Sequence, residues 1–196
     1  LNEDGYGLHL GPITSQEQCV YLETLKDQHS HISCFTSLSY TLFDQSCLEG
    51  YNQAAKVWPP LYTKADVAAV KLALKEGVID ALTSGSESVS YDEKCQPFMA
   101  ASFGLDFSNQ LVPFTFKALD GCNHLDWLKR CVLCSAGVLG LKKTYIELGS
   151  SLDLWLIKPD APCDKVENEE SSGSFLCSLI DLNSLSGKCL ARIQKG

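Results

Sequence analysis

Residues 79–94, IDALTSGSESVSYDEK, decide how the rest of the chain reads. Positions 79–82 read as a short apolar strand, 83–90 as a small polar loop at its carboxyl end, and Tyr91-Asp-Glu-Lys94 as the exit. A strand opening into such a loop is where α/β barrels place their chemistry. The 16 residues before it support this reading. Thr63-Lys-Ala-Asp66 has the form of a capping box, Val67, Val70 and Leu74 keep a helical period, and Gly77 follows as the stop.

Further upstream, strand-like and helix-like text alternates. Residues 6–10 and 32–37 read as strands, and 15–25 as a helix with Val20 and Leu25 facing inward. Residues 54–58 read as a further short strand, stopped by Pro59-Pro60. With 79–82 this gives four strands of an α/β series. Downstream, 109–119 and 125–133 read as closing helices. From position 143 the text changes: 145–149, 152–157, 175–180 and 188–194 read as strands, joined by a polar linker over 164–174. The domain expectation is therefore an α/β region over 1–142 and a small β module over 143–196.

Composition limits the function classes. A length of 196 residues suffices for one sizeable core or part of a larger one. A formal charge of −8 argues against nucleic acid or an anionic membrane surface as partner. No apolar run approaches the ~20 residues of a membrane span, and a cytoplasmic location is expected. The ten cysteines are scattered through helical and strand-like text, which favours reduced, buried thiols over a disulfide framework. Cys131-Val-Leu-Cys134 lacks a second such pair and reads as two positions on one helix face. His29 and His31 precede the strand at 32, at the amino-terminal end of the sheet, and read as solvated loop histidines. His9 and His124 read as ordinary structural or surface histidines, and Gly85-Ser-Glu-Ser88 lacks the full nucleophile elbow.

Several stretches carry a family resemblance. Residues 79–94 align without a gap to IDVIATDHAPHTLEEK, Lys56-Val-Trp-Pro-Pro-Leu61 to KVNPPL, and Glu93-Lys94, Pro97-Phe98 and Ser102-Phe-Gly104 to EEK, PF and PFG. Ser135-Ala136 with Gly140-Leu141 matches NPAKIFGL, and Ile146-Glu-Leu-Gly149 with Leu152-Asp-Leu154 matches IEVGSDADLVLFDP. These patterns belong to dihydroorotases, and the chain resembles their C-terminal part. The resemblance implies the C-terminal half of a TIM-type (β/α)8 amidohydrolase barrel, strands five to eight, followed by a small β module. It also implies that the first half of the barrel lies in a missing segment or another chain.

The same resemblance places the family's functional positions. Its metal ligands fall on Pro12, Ser39, Tyr40 and Gly85, its remaining loop histidines on Ser86 and Val89, and its substrate-binding Asn and Arg on Trp58 and Tyr62. None of these is a comparable strong ligand or base for a zinc hydrolase. The expectation is a catalytically inactive dihydroorotase-like protein without a cofactor, a structural or regulatory partner, with aspartate transcarbamoylase the candidate that the resemblance suggests. The alternative is an active zinc-dependent cyclic amide hydrolase of dihydroorotase, hydantoinase or allantoinase type. Trp58 and Tyr62 are further expected to fill the former pocket.

Overall fold

Two capped helices set the frame. In a computed structural model, which describes residues 7–141, 146–148, 153–163 and 174–194, β1 (Leu8–Leu10) leads to α1 (Gln16–Gln28), whose N-cap Ser15 forms a capping box with Gln18. β2 (Ile32–Ser37) runs directly into a short α2 (Leu38–Leu42). Helix α3 (Lys64–Glu76) starts at the Thr63/Asp66 capping box and ends on Gly77, which adopts the left-handed conformation at φ 93°. The Asp66 carboxylate also accepts from the Gln16 backbone N–H at 2.9 Å, so the starts of α1 and α3 share one acid. β3 (Ala81–Thr83) follows α3.

The three strands form a parallel sheet in the order β1-β2-β3, with Leu10 opposite Cys34 and Thr36 opposite Leu82. Helices α1 and α3 pack on each other against it. Parallel strands joined by helices give the α/β class expected. Between them, Cys34, Leu38, Val70, Leu74 and Ile79 are fully buried, and Lys26 bridges α1 to Asp80 at 2.6 Å. Lys26 also donates to the Val78 carbonyl, which pins the amino-terminal end of β3.

The expected strand over 54–58 is not there. The Asn52 side chain accepts from the Ala54 N–H and nucleates a 3-10 turn over Gln53–Ala55. Lys56 then offers its carbonyl to the Gly104 N–H and the Lys94 ammonium rather than to a ladder. β2 and β3 therefore pair directly, and the parallel strands number three among the described residues. Val20 also departs from expectation: it is 59% exposed, while Cys19 and Leu22 carry the buried face of α1.

After β3 come α4 (Tyr91–Lys94), a 3-10 turn at Ser108–Gln110, α5 (Leu111–Ala118) and α6 (His124–Leu128). The expected helix over 125–133 continues as a π-turn, Lys129–Leu133, into α7 (Cys134–Val138). In the tail, β4 (Asp153–Pro162) pairs antiparallel with β5 (Ser186–Gln194). The expected strand over 175–180 is a helix instead, α8 (Ser174–Leu179). Its Leu176, with Leu185, reaches the same buried cluster as Ile13 and Leu38. A helical turn buries this apolar segment against the body of the chain, which an exposed strand would not. Residues 146–148 form no strand. The other positions of that expected strand, and most of the expected linker, lie outside the described residues.

Candidate functional site

The carboxyl ends of the parallel strands meet the loops that follow them, and a cavity of about 200 Å³ lies there. Pro12 comes from the loop after β1, Ser37 from the end of β2, Ser39 and Tyr40 from α2, and Thr83 and Gly85 from β3 and its loop. Val57 and Trp58 close one side, and Glu87, Gly104 and Leu105 another. Five positions singled out from the sequence, Pro12, Ser39, Tyr40, Trp58 and Gly85, are thus brought together although they span 74 residues (85 less 12, counted inclusively).

The other three lie elsewhere. The Ser86 hydroxyl accepts from the Phe107 N–H at 3.0 Å and anchors the loop on the aromatic core of Phe43, Phe107 and Phe114. Val89 lies beside Gly104, where an added Cβ would come within 2.9 Å of it. Tyr62 lines a broad groove with Ser15, Val20, Tyr21 and Asp66 on the outer face of α1. Trp58 remains 67% exposed, stacked edge-on against Phe103. The expectation that Trp58 and Tyr62 fill the pocket therefore fails: Trp58 stands largely exposed at the rim, and Tyr62 lines the other groove.

Gly85 is held by its neighbours. It adopts φ 59°, and a Cβ there would lie 2.4 Å from the Ser37 Cβ. A side chain at this position, where the resemblance places a metal-binding acid, needs the loop or the end of β2 to move. The Tyr40 hydroxyl donates to the Pro59 carbonyl at 2.8 Å, and burial, with the Glu87 carboxylate and Tyr62 adding to it, pushes its pKa up. Tyr40 is therefore a neutral donor at physiological pH.

These residues do not fit zinc. A zinc site takes imidazole, thiolate or carboxylate donors at close range, and of the lining residues only Glu87 supplies one. Among the described residues no three His, Cys, Asp or Glu side chains are grouped to hold a metal ion. The Cys131 thiol is pushed up to about 12 by burial, which leaves it protonated and a poor ligand. His9 donates to or accepts from the Ser33 hydroxyl at 2.8 Å and stacks on Phe35, a structural role.

Two lysines near the cavity are buried, which nothing in their local sequence signals. Lys94 is 1% exposed, and its ammonium donates to the carbonyls of Lys56 at 2.8 Å, Ser102 at 3.2 Å and Gly104 at 2.6 Å. Lys56 donates to the carbonyls of Phe98, Met99 and Ala101 and lies 4.6 Å from the Phe103 ring centroid. Together they fold residues 95–104 into a compact loop. Burial brings the Lys94 pKa down to about 8, with the Lys56 charge adding to the effect. The resemblance had already picked out both lysines, but lysine is so rarely buried that nothing in the local text marks them as interior.

Comparison with known proteins agrees with this architecture. No family model matches the chain. The dihydroorotase of Elusimicrobium minutum is 29% identical over 175 residues, which cover 87% of this chain and 40% of that protein. The dihydroorotase of Geobacter metallireducens is 28% identical over 175 residues, covering 86% of this chain and 41% of its own length. Among solved structures, L-hydantoinase (dihydropyrimidinase) from Arthrobacter aurescens superposes with a TM-score of 0.79 at 17% identity, over 99% of this chain and 45% of that one. The likeness to hydantoinase is one of fold. The chain is thus homologous to part of the dihydroorotases and spans about two fifths of the length of the curated relatives it matches.

Proposed function

We propose that this chain is the C-terminal part of a dihydroorotase-type barrel, with three of the expected strands five to eight formed and a small β module after them, that has lost metal-dependent catalysis and serves as a structural or regulatory partner in the cytoplasm. The observation that carries this is the lining of the strand-end cavity. Pro12, Ser39, Tyr40, Trp58 and Gly85 converge there and supply no imidazole and no carboxylate. Glu87, the one acid, faces into a wall of hydroxyl and apolar groups. Ring opening of a cyclic amide needs an activated water, and neither a metal-bound hydroxide nor a base held by a second group is built from these side chains.

The aspartate transcarbamoylase candidate follows from the resemblance. A polypeptide that completes the barrel is expected on physical grounds, since the described residues form a three-stranded parallel sheet with no further strand paired at either edge, which is a liability. No helix among the described residues is long and apolar enough to cross a membrane.

Metal content by mass spectrometry, on protein purified without chelator, tests the reading together with an assay of dihydroorotate ring opening. Protein that stays folded with substoichiometric zinc and no turnover supports it, and retention of aspartate transcarbamoylase on the immobilised chain identifies the partner. Near-stoichiometric zinc with ring opening would establish the active cyclic amide hydrolase instead.

A further inference from the structure

Arg130 is the one buried charged group that the fold leaves unanswered among the described residues. It sits in the π-turn Lys129–Leu133 and is 8% exposed. Its Nε is buried with no hydrogen-bond partner, and no hydrogen bond or ion pair of its other nitrogens occurs among the described residues. By contrast the two buried lysines each meet three carbonyls. A guanidinium stays charged at every accessible pH and presents five donors in a rigid fork. A buried guanidinium nitrogen without a partner opposes folding, and native structures pair such groups.

Its position says what is missing. The guanidinium lies over Gly77, where an added Cβ would meet Nη2 at 2.5 Å, so it faces the C-terminal end of α3 and the start of β3. The helix dipole there favours a cation, yet Nε finds no acceptor. The π-turn packs beside β3, and β3 is an edge strand of the parallel sheet. The relatives that the chain matches are more than twice its aligned length.

We infer that Arg130 is a receptor for a carboxylate, carried on the polypeptide that lies beside the start of β3 in the complete assembly. A carboxylate fits the fork through two parallel N–H···O bonds, and a side-chain Asp or Glu is the form in which a neighbouring polypeptide supplies it. The inference rests on the reading that further polypeptide completes the sheet, but its test does not depend on catalysis or on metal.

Formate is the probe. The 196-residue chain is melted at neutral pH in sodium formate, in sodium chloride and in sodium phosphate at equal ionic strength, beside the Arg130→Met and Arg130→Lys variants. The expected result is a melting temperature several degrees higher in formate than in chloride for the wild type, a reduced shift for Arg130→Lys and none for Arg130→Met. Arg130→Met is also expected to melt no lower than the wild type in chloride, because it removes an unpaired buried charge. Absence of a formate shift in the wild type overturns the proposal, whether or not the variants fold. So does an equal shift in Arg130→Met, which makes the formate adventitious, and so does a response to phosphate alone. The metal and turnover assays read the other proposal separately.

Discussion

The lysine clamp and the strand-end cavity lie on two sides of one loop, and they use the family-like text in opposite ways. At the clamp, Lys56, Lys94, Phe98, Phe103 and Gly104 match the dihydroorotase wording, and each has a structural part. Two ammonium groups collect six backbone carbonyls and order the segment between them. At the cavity, Pro12, Ser39, Tyr40, Trp58 and Gly85 depart from that wording, at the positions where the resemblance places metal ligands and a substrate contact. The likeness in the scaffold and the departures at the site thus lie within a few residues of each other. What holds the loop is backbone chemistry, indifferent to what the cavity contains.

The largest test of that separation is Lys94→Met. It leaves three buried carbonyls without their donor, and loss of charged hydrogen bonds to buried partners costs on the order of 3 kcal/mol. Urea denaturation reads it as a lowered midpoint with an unchanged slope. A variant as stable as the wild type would show that the loop is held by its aromatic contacts alone and would break the comparison at its firmer side.

Restoring the acid at the cavity comes next. Gly85→Asp places a side chain at φ 59° against the Ser37 Cβ, so it is expected to destabilise the chain by about 2 kcal/mol and to bind no stoichiometric zinc, because the remaining ligand positions are still proline, serine and tyrosine. Equilibrium dialysis against zinc with a parallel melt reads both. Tight zinc binding in a stable variant would mean that the cavity retains donors its lining does not reveal.

The capping box of α3 sharpens the same contrast from the scaffold side. Thr63→Ala removes the hydroxyl that accepts from the Asp66 N–H and takes from the Asp66 carboxylate one of its three donors. The expected loss is about 1 kcal/mol by chemical denaturation. No change would mean that the backbone N–H groups of Gln16 and of residue 63, both donating to Asp66, suffice to fix the start of α3.

Where the text was legible, a local rule had a tertiary reason to be obeyed. Thr63, Asp66 and Gly77 announced both ends of α3, and the expectation over 32–37 matched β2, because period, cap and burial pointed the same way. Pro12, Ser39, Tyr40 and Gly85 converged because each sits just past a strand end, which sequence order alone could place, whereas Trp58 reaches the same cavity from a strandless turn. Residues 54–58 misled because alternation there reflects Lys56 turning inward to carbonyls 42 to 45 positions away, a contact no short window contains. Residues 175–180 misled for a related reason. Phe175, Leu176 and Leu179 are apolar at a spacing that suits either a strand or a helix, and only packing on the first part of the chain selects the helix. Val20 and Tyr62 misled by composition, since both are apolar residues left at the surface along one groove.

The smallest expected effect bears most directly on how dry the clamp is. Burial lowers the Lys94 pKa from 10.5 to about 8, so above pH 8 the folded chain releases a proton that the unfolded chain still holds. Stability therefore rises with pH from this group. The buried thiols act in the other direction: Cys19 is pushed up to about 11, so above the ordinary thiol value of 9.0 the unfolded chain loses protons that the folded chain keeps. Cys34, Cys47 and Cys131 are raised by burial as well, and thiols begin to titrate in the unfolded chain below pH 9, so the lysine is read as the difference between the wild type and Lys94→Met, which share those thiols. From pH 8 to 9 the folding free energy of the wild type is expected to gain on that of the variant by less than about 1.4 kcal/mol, the ceiling for one proton over one pH unit. A difference that stays constant from pH 8 to 9 would mean that Lys94 titrates as it does in water, so that solvent reaches the ammonium and the three carbonyls are not what holds the loop closed.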